Sequence, residues 1–316
     1  MSSVLLLLVL LAAATPAAVA EDDDNLPMTD ISDEGDTDCR TPQNLQQLFL
    51  TACNETIKDA DTCASAWNAF SSAFASKDPT TVESDDYDEY FNIVKVTSAP
   101  NTVLFWSAVE KLIEDISSMS SANVTSSFTM PASVIINKIA SQGVSCWCGN
   151  NSGIDYTNSC PSTPYLSFLG KFSSLLAESA TGVAFWVGYG EREGGPYQQG
   201  TFFSDYEFPK LVSPEVTKLV VIDAHQLGMG ESCDDGALVQ LQDEAREKLG
   251  DGGFSCYDLY GNPLDEEDIP ALATKTLSII SREQKGQGNQ CDVISFFTPF
   301  LKHKYHFNSP FPLSSS

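Results

Sequence analysis

The chain has 316 residues, with 43 Asp and Glu against 17 Lys and Arg and a formal net charge of −26. That balance excludes nucleic acid and anionic membrane as partners, because phosphate recognition needs a basic face. The length allows one large domain or two lobes with a real core, and nine cysteines indicate an oxidising compartment rather than the cytosol.

Residues 1–20 read as a signal peptide: Leu5 to Ala14 is apolar, and Ala18-Val19-Ala20 resembles a cleavage site. The run is too short for a spanning helix, which needs about 20 apolar residues. Residues 21–40 are expected to be a solvated, disordered segment, since Glu21 to Asp38 holds nine acids and no base. The tail, 291–316, ends Phe311-Pro312-Leu313-Ser314-Ser315-Ser316 without a terminal hydrophobic run, so no lipid anchor of the GPI type is expected. Asn54, Asn123 and Asn150 each open an Asn-x-Ser/Thr triplet and are candidate glycosylation sites. Together these features predict a secreted protein or one in the lumen of the secretory pathway.

Thr41-Pro42 is a helix-start pair, and Leu45, Leu48, Phe49 and Ala52 follow at helical spacing. Further helices are expected over Ala64–Phe74, Asp85–Val94, Ser107–Ile116, Ala132–Ala140 and from Thr163-Pro164 to about Ser179. Val103 to Trp106 is a short strand-like run. After residue 182 the character changes. Val183–Tyr189 and Lys218–Ala224 are apolar runs of strand length, as in a sheet covered on both faces. A helix over Ala237–Leu249, a strand at Phe254–Tyr257 and a helix over Ile269–Ile280 complete an alternating order that implies a parallel sheet. The expected fold is therefore α/β: a mainly helical lobe, 41–182, and a lobe, 183–290, with a small parallel sheet flanked by helices.

A metal site is not expected. Cys146-Trp147-Cys148 lacks the usual zinc spacing, and of the three histidines His225 ends an apolar strand while His303 and His306 lie in the tail. Gly188 to Gly194 fails the dinucleotide pattern, because Glu193 stands where the third glycine belongs. No Gly-x-Ser-x-Gly elbow supports a serine hydrolase. The informative strings are Leu104-Phe105-Trp106-Ser107, Trp147-Cys148-Gly149 with Ser159-Cys160-Pro161, and Thr201 to Leu211, which sets Glu207 between Tyr206 and Phe208. On residue types alone, an exposed strand-edge glutamate and a core tryptophan are the plainer account.

In order, these strings resemble the ADP-ribosyl cyclase / NAD glycohydrolase family. Cys63 to Phe70, Lys77-Asp78-Pro79, Ala177 to Ala180, Val220 to His225 and Phe254-Ser255-Cys256 continue the resemblance, which covers roughly Leu45 to Tyr257. It implies an enzyme that splits NAD at its nicotinamide–ribose bond in a cleft between the lobes. Glu207 matches the family's catalytic glutamate and Trp106 its active-site tryptophan, with Ser107 beside it. Ser173, Phe203 and Ser204 match positions around the ribose and phosphates. The disulfides implied are Cys53–Cys63, Cys148–Cys160 and Cys233–Cys256, leaving Cys39, Cys146 and Cys291 unassigned. NAD and related nucleotides are the implied partners, as substrate and not as cofactor, and a homodimer is left open.

Two departures bear on the product. Leu169 stands where the family has a second tryptophan, and no Asp or Glu occurs between Ile116 and Ile154, so a second acid of the family has no counterpart. The first makes hydrolysis a substantial route, with ADP-ribose and/or cyclic ADP-ribose as the implied products. The second keeps open a receptor-like binding protein of the same fold with weak or lost catalysis.

Overall fold

The computed structural model describes residues 45–119, 123–144, 147–150, 153–155 and 161–286. The expected signal peptide, acidic segment, Thr41-Pro42 start and C-terminal tail lie outside the described residues, as do Cys39, Cys146, Cys160 and Cys291.

The chain opens with α1 (Leu45–Thr56) and α2 (Ala60–Ser72), joined by the Cys53–Cys63 disulfide. Asp59 starts α2 by accepting the Asp61 N–H, the usual remedy for a first-turn donor. A 3-10 turn (Ser84–Tyr87) and α3 (Asp88–Ile93) divide what the sequence predicts as one helix. The rings of Phe49, Phe74, Tyr87, Tyr90, Trp147 and Phe168 surround Phe70 with centroids 5.1–6.0 Å away. The polar tips in this cluster are satisfied: Trp147 Nε1 donates to Tyr87 Oη at 3.0 Å, and the tyrosine hydroxyls donate to the Pro164 and Ala132 carbonyls.

The second half of the molecule is built on a four-stranded, all-parallel sheet in the order β1 (Leu104–Trp106), β4 (Gly182–Tyr189), β5 (Val216–His225), β6 (Phe254–Tyr260). Alternation divides its side chains between two cores. Phe185, Val187, Val220 and Ile222 face α4 (Glu110–Ser118) and α8 (Ile269–Gln284); Ala184, Trp186, Leu219 and Val221 face the aromatic core. The other elements are α5 (Pro131–Ala140), α6 (Thr163–Glu178), α7 (Gly236–Leu249) and a hairpin of β2 (Cys148–Asn150) and β3 (Gly153–Asp155) that the sequence reading missed.

The boundary at 182/183 does not separate two cores. β1 and α4 come from the helical half, yet β1 is an edge of the sheet and α4 covers one of its faces. The helix expected from Ser107 begins only at Glu110, because Ala108 adopts φ 59°, a left-handed value that interrupts a helix of L-residues.

Cys233–Cys256 is formed as the resemblance implied. Cys148 is also disulfide-bonded, while its implied partner Cys160 is outside the described residues. Asn54 sits within α1 and donates its side-chain amide to the Leu50 carbonyl at 2.8 Å. Asn123 is exposed, and Asn150 closes β2.

Candidate active site

Trp106 is the last residue of β1, at the C-terminal edge of the sheet, where open α/β sheets bind their ligands. The strand stops there because Ser107 and the left-handed Ala108 turn the chain away. Trp106 is half-buried, so it is not simply a core residue. Its indole Nε1 donates to Ser127 Oγ at 3.1 Å, and its ring stacks on Phe128 at 6.1 Å. Ser127 is itself pinned, because its carbonyl accepts from Ser133 Oγ and Asn137 Nδ2. The indole is thus oriented before any ligand arrives. Ser107 Oγ accepts from Arg192 at 2.9 Å, which ties the turn after β1 to the loop after β4.

Glu207 ends a π-helical turn, Phe203–Glu207, an uncommon wide turn that recurs at functional sites. The Phe208 N–H closes it on the Phe203 carbonyl, and Pro209 follows without a donor to continue the ladder. The turn is anchored by Phe203, whose ring lies 5.2 Å from Trp186, 5.8 Å from Phe208 and 5.9 Å from Phe105. Phe105 directly precedes Trp106, so one aromatic contact couples the elements that carry the two principal candidates.

Glu207 is not an exposed edge residue: it is 8 % exposed. The Ser173 hydroxyl, on α6, lies beside its carboxyl, and Oε2 has no hydrogen-bond partner. Burial pushes its pKa up to about 8, against a smaller downward pull from Ser173. The free protein at neutral pH therefore holds this group mostly as the acid. Gly170 lets α6 come this close, because a Cβ there would lie 2.8 Å from the Tyr206 ring.

The remaining candidates divide. Ser173 reaches Glu207. Leu169, one turn before it on α6, is half-buried against the aromatic core. Phe203 is 2 % exposed, so its ring is a core anchor and does not line an open surface. Ser204 is engaged within its own turn: its hydroxyl donates to Asp205 Oδ1 at 2.7 Å and accepts the Thr201 N–H at 3.1 Å. Asp205 also takes the Gly200 N–H at 3.2 Å. The Ser204 hydroxyl and the Gly200 N–H thus both end on the chain's own carboxylate. Sequence reasoning also passed over Glu110, in the first turn of α4, whose negative charge helps raise the pKa of the half-buried Tyr165 phenol, after burial itself.

An oriented indole at a strand end and a buried acid on a π turn stand on touching elements. The ADP-ribosyl cyclase family model matches residues 42–263, well over half of the chain. The chain belongs to that family. It is 30% identical over 235 residues to the ADP-ribosyl cyclase/cyclic ADP-ribose hydrolase of Aplysia kurodai, covering 68% of this chain and 79% of that protein. It is 28% identical to ADP-ribosyl cyclase/cyclic ADP-ribose hydrolase 2 of Homo sapiens, covering 70% and 71%. Among solved structures, an Aplysia cyclase complexed with substrate NGD and product cGDPR superposes with a TM-score of 0.59 at 24% identity, over 74% of this chain and 93% of that one. Apo porcine CD38 gives 0.56 at 22% identity, over 68% and 96%; at such identities both speak for the fold alone. At the level of the ADP-ribosyl cyclase family, the activity is of the NAD-glycohydrolase and cyclase type, on an NAD-like substrate. Among the described residues, no helix is long and apolar enough to cross a membrane.

Proposed function

We propose that the chain cleaves the nicotinamide–ribose bond of NAD and passes the ribosyl group mainly to water, giving nicotinamide and ADP-ribose, with cyclic ADP-ribose as the minor product. Ordinary glycosidases need one acid to protonate the leaving group and a second carboxylate on the other face. Nicotinamide needs no proton, because it is bound as a cation and departs neutral. One carboxylate is enough if it steadies the oxocarbenium ion that develops at the anomeric carbon.

The observation that carries this reading is Glu207, buried with one carboxyl oxygen unpaired. A neutral acid is what an apolar pocket imposes on a carboxyl; a nearby positive charge reverses that preference. Substrate brings such a charge. When the nicotinamide cation stacks on Trp106, a contact worth roughly 1–2 kcal/mol when desolvated, Glu207 gives its proton to solvent water and stands as an anion where the ribosyl cation forms. Departure of nicotinamide leaves that ion pair, and a water adds to the anomeric carbon, releasing its proton. Leu169 in place of a large aromatic offers less surface to fold the adenine inward, which leaves water as the main acceptor.

Chromatography of the products formed from NAD tests the reading. Nicotinamide with an excess of ADP-ribose over cyclic ADP-ribose is expected. No nicotinamide release would refute the activity, and cyclic product in excess would refute the partition.

A further inference from the structure

The C-terminal edge of the sheet carries a second constellation, away from Glu207. Asp223 and His225 are two residues apart on β5, so their side chains leave the same face. Asp258 on β6 is in register with Asp223, which puts its side chain beside them. One ligand atom from each of the three lies within 4.8 Å of the other two.

Asp223 is fully buried and His225 is 4 % exposed. Asp223 Oδ2 meets His225 Nδ1 at 2.7 Å, but Asp223 Oδ1 has no partner. An unpaired carboxylate oxygen at this depth is costly. Asp258 is fixed by accepting the Cys233 N–H at 2.9 Å, next to the Cys233–Cys256 disulfide. Further negative charge surrounds the group, since Glu231 and Asp258 both act on Asp223. The backbone packs closely over the group: a Cβ on Gly190 would lie 2.5 Å from Asp223 Oδ2, so only glycine fits there.

We propose that Asp223, His225 and Asp258 bind one divalent transition-metal ion of the zinc type. One imidazole and two carboxylates are hard-to-borderline ligands suited to zinc, and their two negative charges match its own. Ligand atoms of a tetrahedral zinc stand about 3.3–3.6 Å apart, given bonds of about 2.0–2.2 Å, so Asp223 and His225, in contact at 2.7 Å, separate slightly as the ion replaces their shared hydrogen bond. The ion satisfies Asp223 Oδ1 and links β5 to β6.

The test is zinc titration of the full chain after chelator treatment, with free thiols alkylated, against a chromophoric chelator. One equivalent is expected to bind, with affinity falling at least about 100-fold in Asp223→Asn and in Asp258→Asn, as expected when a ligand of a three-residue site is lost. A double change, His303→Gln with His306→Gln, is expected to leave binding intact. Thermal unfolding provides a second measurement: zinc raises the Tm of the unaltered chain and not that of Asp258→Asn, a half-buried position where folding is least at risk. Absence of stoichiometric binding, binding unchanged by both aspartate substitutions, or binding abolished by the tail histidine changes would each overturn the proposal.

Discussion

The Ser173 hydroxyl on α6 lies beside the carboxyl of Glu207 on the π turn, and Glu207 Oε2 has no hydrogen-bond partner. One hydroxyl against full burial leaves the carboxyl titrating at about 8. The chemistry requires the anion. It follows that kcat/KM, which reports ionisations of the free enzyme, rises with pH to a plateau above about 8. Ser173→Ala removes the downward pull, so the same limb is expected at higher pH. A pH–rate series for both proteins checks this; a flat profile through this range would exclude the assignment.

The same shift acts on stability, with the opposite consequence. An unfolded glutamate ionises near 4.5, while folded Glu207 holds its proton until about 8. Between these values the native state binds more protons than the unfolded one, so Glu207 makes stability fall as pH rises. Glu207→Gln removes that loss. The Tm of the variant relative to the parent is expected to increase from acid to mildly alkaline pH, as measured by thermal unfolding in a buffer series.

Phe203 tests the distinction between anchor and wall. Its burial against Trp186, Phe105 and Phe208 predicts that Phe203→Ala costs about 3–5 kcal/mol of unfolding free energy. Denaturant titration measures it, and a stability change below about 1 kcal/mol would return the ring to a substrate-lining role.

Leu169 governs the acceptor. Leu169→Trp is expected to raise the cyclic share of product several-fold, because an indole on this face of α6 supplies about 0.5–1.5 kcal/mol of stacking for the returning base. Product ratios with NAD and with a fluorescent guanine analogue report the change.

The strands were legible because β4 and β5 are apolar on both faces, and their expected bounds differ from the observed ones by at most two residues at an end. The C-terminal helices were legible from their periodicity. The identities of Glu207 and Trp106 came from order and resemblance; their environment did not. Nothing in Thr201 to Leu211 announces a π turn, whose width depends on Phe203 reaching a core assembled from β1 and β4. The crossing of β1 and α4 into the sheet layer was equally hidden, because it rests on the positive φ of Ala108 and on pairing with a strand distant in sequence. Asp258 and Asp223 illustrate the same limit, since only the register of β5 on β6 brings them together.

The most direct measurement is the rate of nicotinamide release from NAD by Glu207→Gln, taken alongside the parent chain above the Glu207 midpoint and with folding verified by circular dichroism. Loss of one group that stabilises developing charge in a dry site costs roughly 3–4 kcal/mol, so a fall of about 10²–10³-fold is predicted. A folded variant that retains the parent's rate would contradict the account, because the developing ribosyl cation would then be met by some other part of the chain.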